Sequence, residues 1–143
     1  MQPRPHTDLK VGMCGEARIT VREEDTANAY GAEGIYVYAT PALVGLIESA
    51  AQEAVKGHLS EGWGTVGMEI KLKHLAPTPV GMQVVAKAVL QEIDGRRLVY
   101  SFEAFDEKEQ IAVGVHQRYI VNMERFNQRA QCQPAGKGEE KGG

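Results

Sequence analysis

The sequence predicts an α+β domain, an antiparallel sheet of about five strands wrapped around one long central helix. Three observations carry this expectation. Residues 38–59, YATPALVGLIESAAQEAVKGHL, are the long stretch with apolar residues at helical spacing. After Gly64 the apolar residues recur at every second position instead. The alternating runs follow one another through short polar turns, which makes neighbours antiparallel. One helix and one sheet bury each other only if the sheet curls around the helix.

In chain order, residues 1–10 are polar and proline-bearing, a loose lead-in. GEARITV, residues 15–21, alternates as a first strand. Residues 22–37 hold acids, Gly31 and Gly34 without a clean period and read as a loop feeding the helix. In the helix, Thr40 is expected as the N-cap and Pro41 as the first helical residue, where its missing N–H costs nothing. Leu43, Leu46, Ile47, Ala50, Ala54 and Val55 make an apolar face. Ala42, Gly45, Ser49 and Ala51 keep the remaining surface thin, as in a helix covered on most sides. The helix is expected to fray over 56–59, with Ser60-Glu61-Gly62 as its exit.

In TVGMEIKLKHLA, Met68, Ile70, Leu72 and His74 share an inward row, and Glu69, Lys71 and Lys73 an outward one. Pro77 and Pro79 stop this strand. MQVVAKAVLQEI is the next strand, and Asp94-Gly95 signals a hairpin into RRLVYSFEAFDE. Residues 107–110 are a polar turn before the last strand, IAVGVHQRYIVNM. From Asn127 the chain, ending QPAGKGEEKGG, is expected to be a structureless tail, so that residues 1–126 form a single domain. Strand, long helix and strand meander together describe the hot-dog arrangement. Its unpaired sheet edges favour an edge-to-edge homodimer.

Composition narrows the function. At 143 residues the chain can bury a core without disulfides or metal. A formal charge of −3 with no basic arm argues against a nucleic-acid surface. No apolar run approaches the ~20 residues needed to cross a bilayer, and residues 1–10 lack the apolar centre of a signal peptide. Cys14 and Cys132 lie at opposite ends and fit neither metal-ligand nor disulfide spacing. A reduced, cytoplasmic protein is expected. GxGxxG, Walker, GxSxG, HExxH and paired-cysteine motifs are all missing, so neither cofactor nor metal is expected.

Glu48 is the residue that needs explaining. A carboxylate on the apolar part of a central helix loses hydration unless it is partnered. Alternatively, it lies on an exposed ridge with Gln52, one turn on. His74, at the end of the inward strand row, is either a satisfied core histidine or the partner of Glu48 in acid–base chemistry. Thr40 is explained by capping alone, or by a hydroxyl beside helix N–H groups that would favour an oxyanion. Gly67 marks a bulge or a close approach by a ligand. His116 shares a strand face with Ala112, Gly114 and Arg118, small residues that admit a backbone or ligand. Arg118 binds an anionic group or forms a surface salt bridge.

Taken with the helix–strand order, Thr40, Glu48 and His74 resemble the fluoroacetyl-coenzyme A thioesterase family of hot-dog proteins. The stretches that carry the resemblance are ATPALVGLIESA, GTVGMEIKLKHLAPTPVGM, IDGRRLVYSFEAFDE and GVHQRYIVNMERF, within about residues 10–127. The family's catalytic threonine, glutamate and histidine have the same spacings as positions 40, 48 and 74. The resemblance implies a small acyl-CoA substrate, with coenzyme A as part of it and no further cofactor. It also implies substrate-binding roles for Gly67 and Arg118. Whether Glu48 acts as base or nucleophile is left open. In the fluoroacetyl-selective enzyme, phenylalanines before the threonine form a lid over the acyl pocket. Gly31 and Gly34 stand there in this chain, and Tyr36 and Tyr38 are displaced, so another acyl group is expected. Two alternatives belong to other classes: a non-catalytic acyl-CoA or acyl-ligand binder, and an enoyl-thioester hydratase, which the order and spacing fit less well.

Overall fold

The chain order is β1 (Cys14–Thr20), α1 (Thr40–Val55), β2 (Trp63–His74), β3 (Gln83–Asp94), β4 (Arg97–Phe105), β5 (Gln110–Asn122) and α2 (Met123–Gln131). A computed structural model describes it for residues 5, 6 and 8–132. The strands form one antiparallel sheet in the order β1-β3-β4-β5-β2. The meander from β3 to β5 follows from its turns. Asp94 pairs with Arg97 across Gly95-Arg96, and Gly95 takes φ 61°, as a two-residue hairpin turn requires. Asp106 Oδ1 accepts the N–H groups of Lys108 and Glu109 at 2.8 and 2.9 Å, which closes the β4–β5 turn. β2 precedes these strands but pairs with β5, so it forms the far edge of the sheet.

α1 buries Leu43, Leu46, Ile47, Ala50, Ala51, Ala54 and Val55, chiefly against β1 and β3. Ala86 and Ala88 on β3 are fully buried and small, which lets the helix lie close. Leu98, Tyr100, Phe102 and Ala104 of β4 and Ala112, His116, Arg118 and Ile120 of β5 continue the inner face. Each large aliphatic chain fully removed from water here contributes about 2 kcal/mol. Among the described residues, no helix is long and apolar enough to cross a membrane.

Three expectations change. The helix is not covered on most sides: it sits over one half of the sheet, and Pro41, Gly45, Ser49 and Gln52 are exposed. Met68 does not face inward. The β2–β5 register shifts between Gly67 and Glu69, so Met68 is the extra residue of a bulge and is 58% exposed. Ile70, Leu72 and His74 keep the inward row, opposite His116, Gly114 and Ala112. Finally, residues 127–131, expected in the tail, belong to α2, because Asn122 caps that helix by accepting from the Arg125 N–H at 3.0 Å. Residues 133–143 of the expected tail lie outside the described residues.

Gly15 is where β1 touches the helix. A Cβ there would run into the Ala50 carbonyl and the Ala54 nitrogen, which are backbone and cannot swing away. Gly15→Ala should therefore destabilise the fold by about 1–3 kcal/mol, the range of an overpacked core. Urea unfolding checks this; an unchanged midpoint would refute the close helix–strand packing.

Candidate active site

The start of α1 is positioned by two loops stitched together. Val37 forms a bridge with Pro79, and the Tyr38 N–H donates to the Thr78 carbonyl at 2.8 Å. Thr78 is fully buried and its hydroxyl donates to Asp106 Oδ2 at 2.8 Å, which ties this strap to the β4–β5 turn. The strap follows His74 directly, so the stitching brings the helix start to the end of β2. There Thr40 Oγ1 lies 2.7 Å from His74 Nδ1. Thr40 is thus not the N-cap. Ala39 occupies that position without a side-chain cap, and Thr40 is the first helical residue, its hydroxyl engaged by the histidine instead. In this first turn the Thr40 and Ala42 N–H groups have no intrahelical partner, and Pro41 has no N–H to satisfy.

His74 Nε2 is buried with no hydrogen-bond partner among the described residues. Burial holds the ring's pKa below its ordinary value of 6.5. Thr40 and His74 border a cleft of about 380 Å³ whose other walls include Ala27, Val37, Leu75, Ala76 and Pro77. The loop that supplies Ala27 and Val37 to this cleft carries Gly31 and Gly34 at φ 105° and 86°, a backbone that any larger residue would strain.

Glu48 sits in a second cluster. Its Oε1 accepts from Arg118 Nη1 at 3.0 Å. The Arg118 side chain is 3% exposed and that of Glu48 37%, so Arg118 forms a part-buried ion pair rather than a surface salt bridge. Arg118 Nε donates to Thr65 Oγ1 and Nη2 to the Thr65 carbonyl, both at 2.9 Å. Nη1 also meets His116 Nε2 at 3.2 Å. Gly67 lies against this group: a Cβ there would stand 2.9 Å from Glu48 Oε1 and 3.4 Å from Arg118 Nη1. A cavity of about 220 Å³ opens between Glu48, Gly67, Met68, Glu69, Ile70 and His116.

Within one chain, then, Thr40 joins His74, and Glu48 joins Gly67, Arg118 and His116. Eight residues of helix, about 12 Å of rise, separate Thr40 from Glu48. Among the described residues no hydrogen bond links the two groups. Sequence reasoning gave no role to Thr65, the main anchor of Arg118. Its signal was the strand row it shares with Gly67, which the bulge at Met68 disguised.

A model of the fluoroacetyl-CoA-specific thioesterase family matches residues 21–124. This chain belongs to that family. It is 37% identical over 118 residues to the fluoroacetyl-CoA thioesterase of Streptantibioticus cattleyicolor, covering 82% of this chain and 85% of that one. A solved structure of the fluoroacetyl-CoA thioesterase FlK aligns with a TM-score of 0.82 at 32% identity, over 89% of this chain and 99% of that chain. A thioesterase-superfamily protein from Thermus thermophilus aligns at 0.80 with 25% identity, over 87% and 92% of the two chains. The fold is therefore a hot-dog fold and the chain a thioester hydrolase of the acyl-CoA class, as the sequence led one to expect.

Gly67→Ala should push the Glu48 carboxylate off Arg118, lowering kcat by about tenfold or more and lowering the melting temperature as well, because Arg118 is left buried without its counter-charge. Wild-type kcat in a folded variant would refute the crowding. A second expectation concerns pH. His74 and His116 both sit below 6.5, each chiefly through burial of the charged form. Unfolding returns them towards 6.5, so the unfolded chain binds more protons and stability falls as pH drops below about 6.5. Thermal melts at falling pH should show this loss, and His74→Gln should flatten it; identical slopes in both proteins would contradict the assignment.

Proposed function

We propose that this protein hydrolyses a small acyl-CoA thioester as a homodimer, using Thr40, Glu48 and His74. The observation that carries the reading is one helix bearing a threonine–histidine couple at its N-terminus and an inward carboxylate eight residues on. The free oxygen of Glu48 activates water or attacks the thioester carbonyl. With the Thr40 hydroxyl donating to Nδ1, neutral His74 carries its proton on Nε2 and donates a hydrogen bond there to the departing sulfur, while the proton lost by the attacking water ends on the thiolate. The Thr40 and Ala42 N–H groups face the developing oxyanion at the positive end of the helix. Gly67 and Arg118 bound the substrate on the Glu48 side. FlK has been solved with a substituted threonine bound to fluoroacetate and to acetyl-CoA, which supports a threonine in the site.

The apolar cleft beside Thr40, and glycines at positions 31 and 34 of the loop that supplies its Ala27 and Val37, favour an unsubstituted aliphatic acyl group over fluoroacetyl. Coenzyme A enters as part of the substrate, and the mechanism needs no further cofactor. The free, exposed Cys14 and Cys132 suit a reducing, cytoplasmic compartment.

Dimerisation follows from the edges. β2 offers a long free edge, and two copies pairing antiparallel set the His74 end of one against the Gly67 end of the other. That would unite the two groups that one chain keeps apart.

Release of free thiol across fluoroacetyl-, acetyl-, propionyl-, butyryl- and hexanoyl-CoA tests the reading. An unsubstituted ester should be turned over fastest, and Glu48→Gln, His74→Ala and Thr40→Ala should each lose at least about tenfold in kcat. Tight binding without thiol release would instead indicate a binder. For the shared site, Glu48→Gln and His74→Ala chains refolded together should regain about a quarter of wild-type activity, since half the dimers are hybrids with one intact site. No recovery would place each site within one subunit.

A further inference from the structure

We infer that His116 is a positioning residue for Glu48, acting through Arg118; this rests on the role of Glu48 proposed above. His116 is 2% exposed on the inner row of β5. Its hydrogen bonds define its tautomer. Nδ1 lies 2.9 Å from the Glu69 carbonyl oxygen, which only accepts, so Nδ1 carries the proton. Nε2 lies 3.2 Å from Arg118 Nη1, which only donates, so Nε2 is bare. The ring is neutral, and a second proton would point at a guanidinium.

This ring completes the seating of Arg118. Thr65 holds the guanidinium at Nε and Nη2, leaving the Nη1 corner to His116 and Glu48. Without an acceptor at Nε2, an Nη1 proton is left buried and unpaired, and the rigid guanidinium can tilt as a whole and carry Nη1 away from Glu48. With it, Nη1 is held in place, Glu48 Oε1 is tied to it, and the second carboxylate oxygen is the one left for the substrate. The ring is held in turn. The bulge at Met68 turns the Glu69 carbonyl to Nδ1, and Tyr100 stacks beside the ring with centroids 6.2 Å apart. The groups facing His116 are thus Glu48 from α1, the Glu69 backbone from β2, Tyr100 from β4 and Arg118 from β5. Burial pushes the Tyr100 phenol up to about 12, so it stays neutral.

The test uses full-length His116→Gln, His116→Phe and Glu48→Gln. Gln can place its amide oxygen near the Nε2 position and accept from Arg118; Phe keeps the flat shape without an acceptor. On whichever ester from acetyl- to hexanoyl-CoA is turned over fastest, His116→Phe should lower kcat by about tenfold with KM within about twofold. His116→Gln should recover most of that loss. In the Glu48→Gln background the His116→Phe effect should vanish, as it must for a residue acting through Glu48. Nitrogen NMR of the unliganded wild type should show a protonated Nδ1 and a bare Nε2 at neutral pH, with titration only below the ordinary histidine value of 6.5. Wild-type kcat in His116→Phe, equal losses in the Gln and Phe variants, or a ring titrating near 6.5 would each overturn the proposal. If Glu48→Gln alone keeps wild-type kcat, the role of Glu48 itself falls, and this inference with it. Should His116→Phe fail to fold, the Gln variant and the wild-type spectrum still decide.

Discussion

The guanidinium of Arg118, a residue only 2% exposed, governs this site. Removing a charge from water costs several kcal/mol unless its donors and its charge are both met. Thr65 takes two of the five N–H donors, with a hydroxyl and a carbonyl, and His116 takes a share as a neutral acceptor. Among the described residues, Glu48 alone supplies the opposite charge. The carboxylate's direction is therefore set from the sheet side, although the residue belongs to the helix. Gly67 is part of the same constraint, because a methyl group there would occupy the space that the ion pair uses.

The other half of the site depends on backbone stitching more than on charge. The loop before α1 and the strap after His74 hold each other through the Tyr38–Thr78 hydrogen bond and the Val37–Pro79 bridge. Thr78, fully buried, carries that constraint down to Asp106. Thr40 and His74 meet because their supports are joined just outside them. Their contact is a neutral one, and burial keeps the histidine in the uncharged form that can accept and return a proton.

The placement of α1 over β1 and β3 gives the site its opening. A helix centred on the sheet would cover β2 and β5 and close off Glu48. Displaced to one side, it leaves the carboxylate partly exposed beside β2, the terminal strand of the sheet. Small residues make the displacement feasible: Gly15 on β1 and Ala86 and Ala88 on β3 admit the helix backbone closely.

Much of this was legible in the residues themselves. The period of 43–55 determined the helix and its buried face, strict alternation determined the strands, and Asp94-Gly95 determined the hairpin, because all three depend on neighbours in sequence. The spacing of Thr40, Glu48 and His74 was likewise legible as a family pattern. Tertiary structure decided the rest. Whether Glu48 faced solvent or sheet turned on Arg118, seventy positions away. Whether Thr40 capped its helix turned on a histidine thirty-four positions on. The bulge that exposed Met68 came from the β2–β5 register. Local pattern sets which backbone forms; where a polar side chain points is set by the cost of burying its partner, and that partner is brought by the fold.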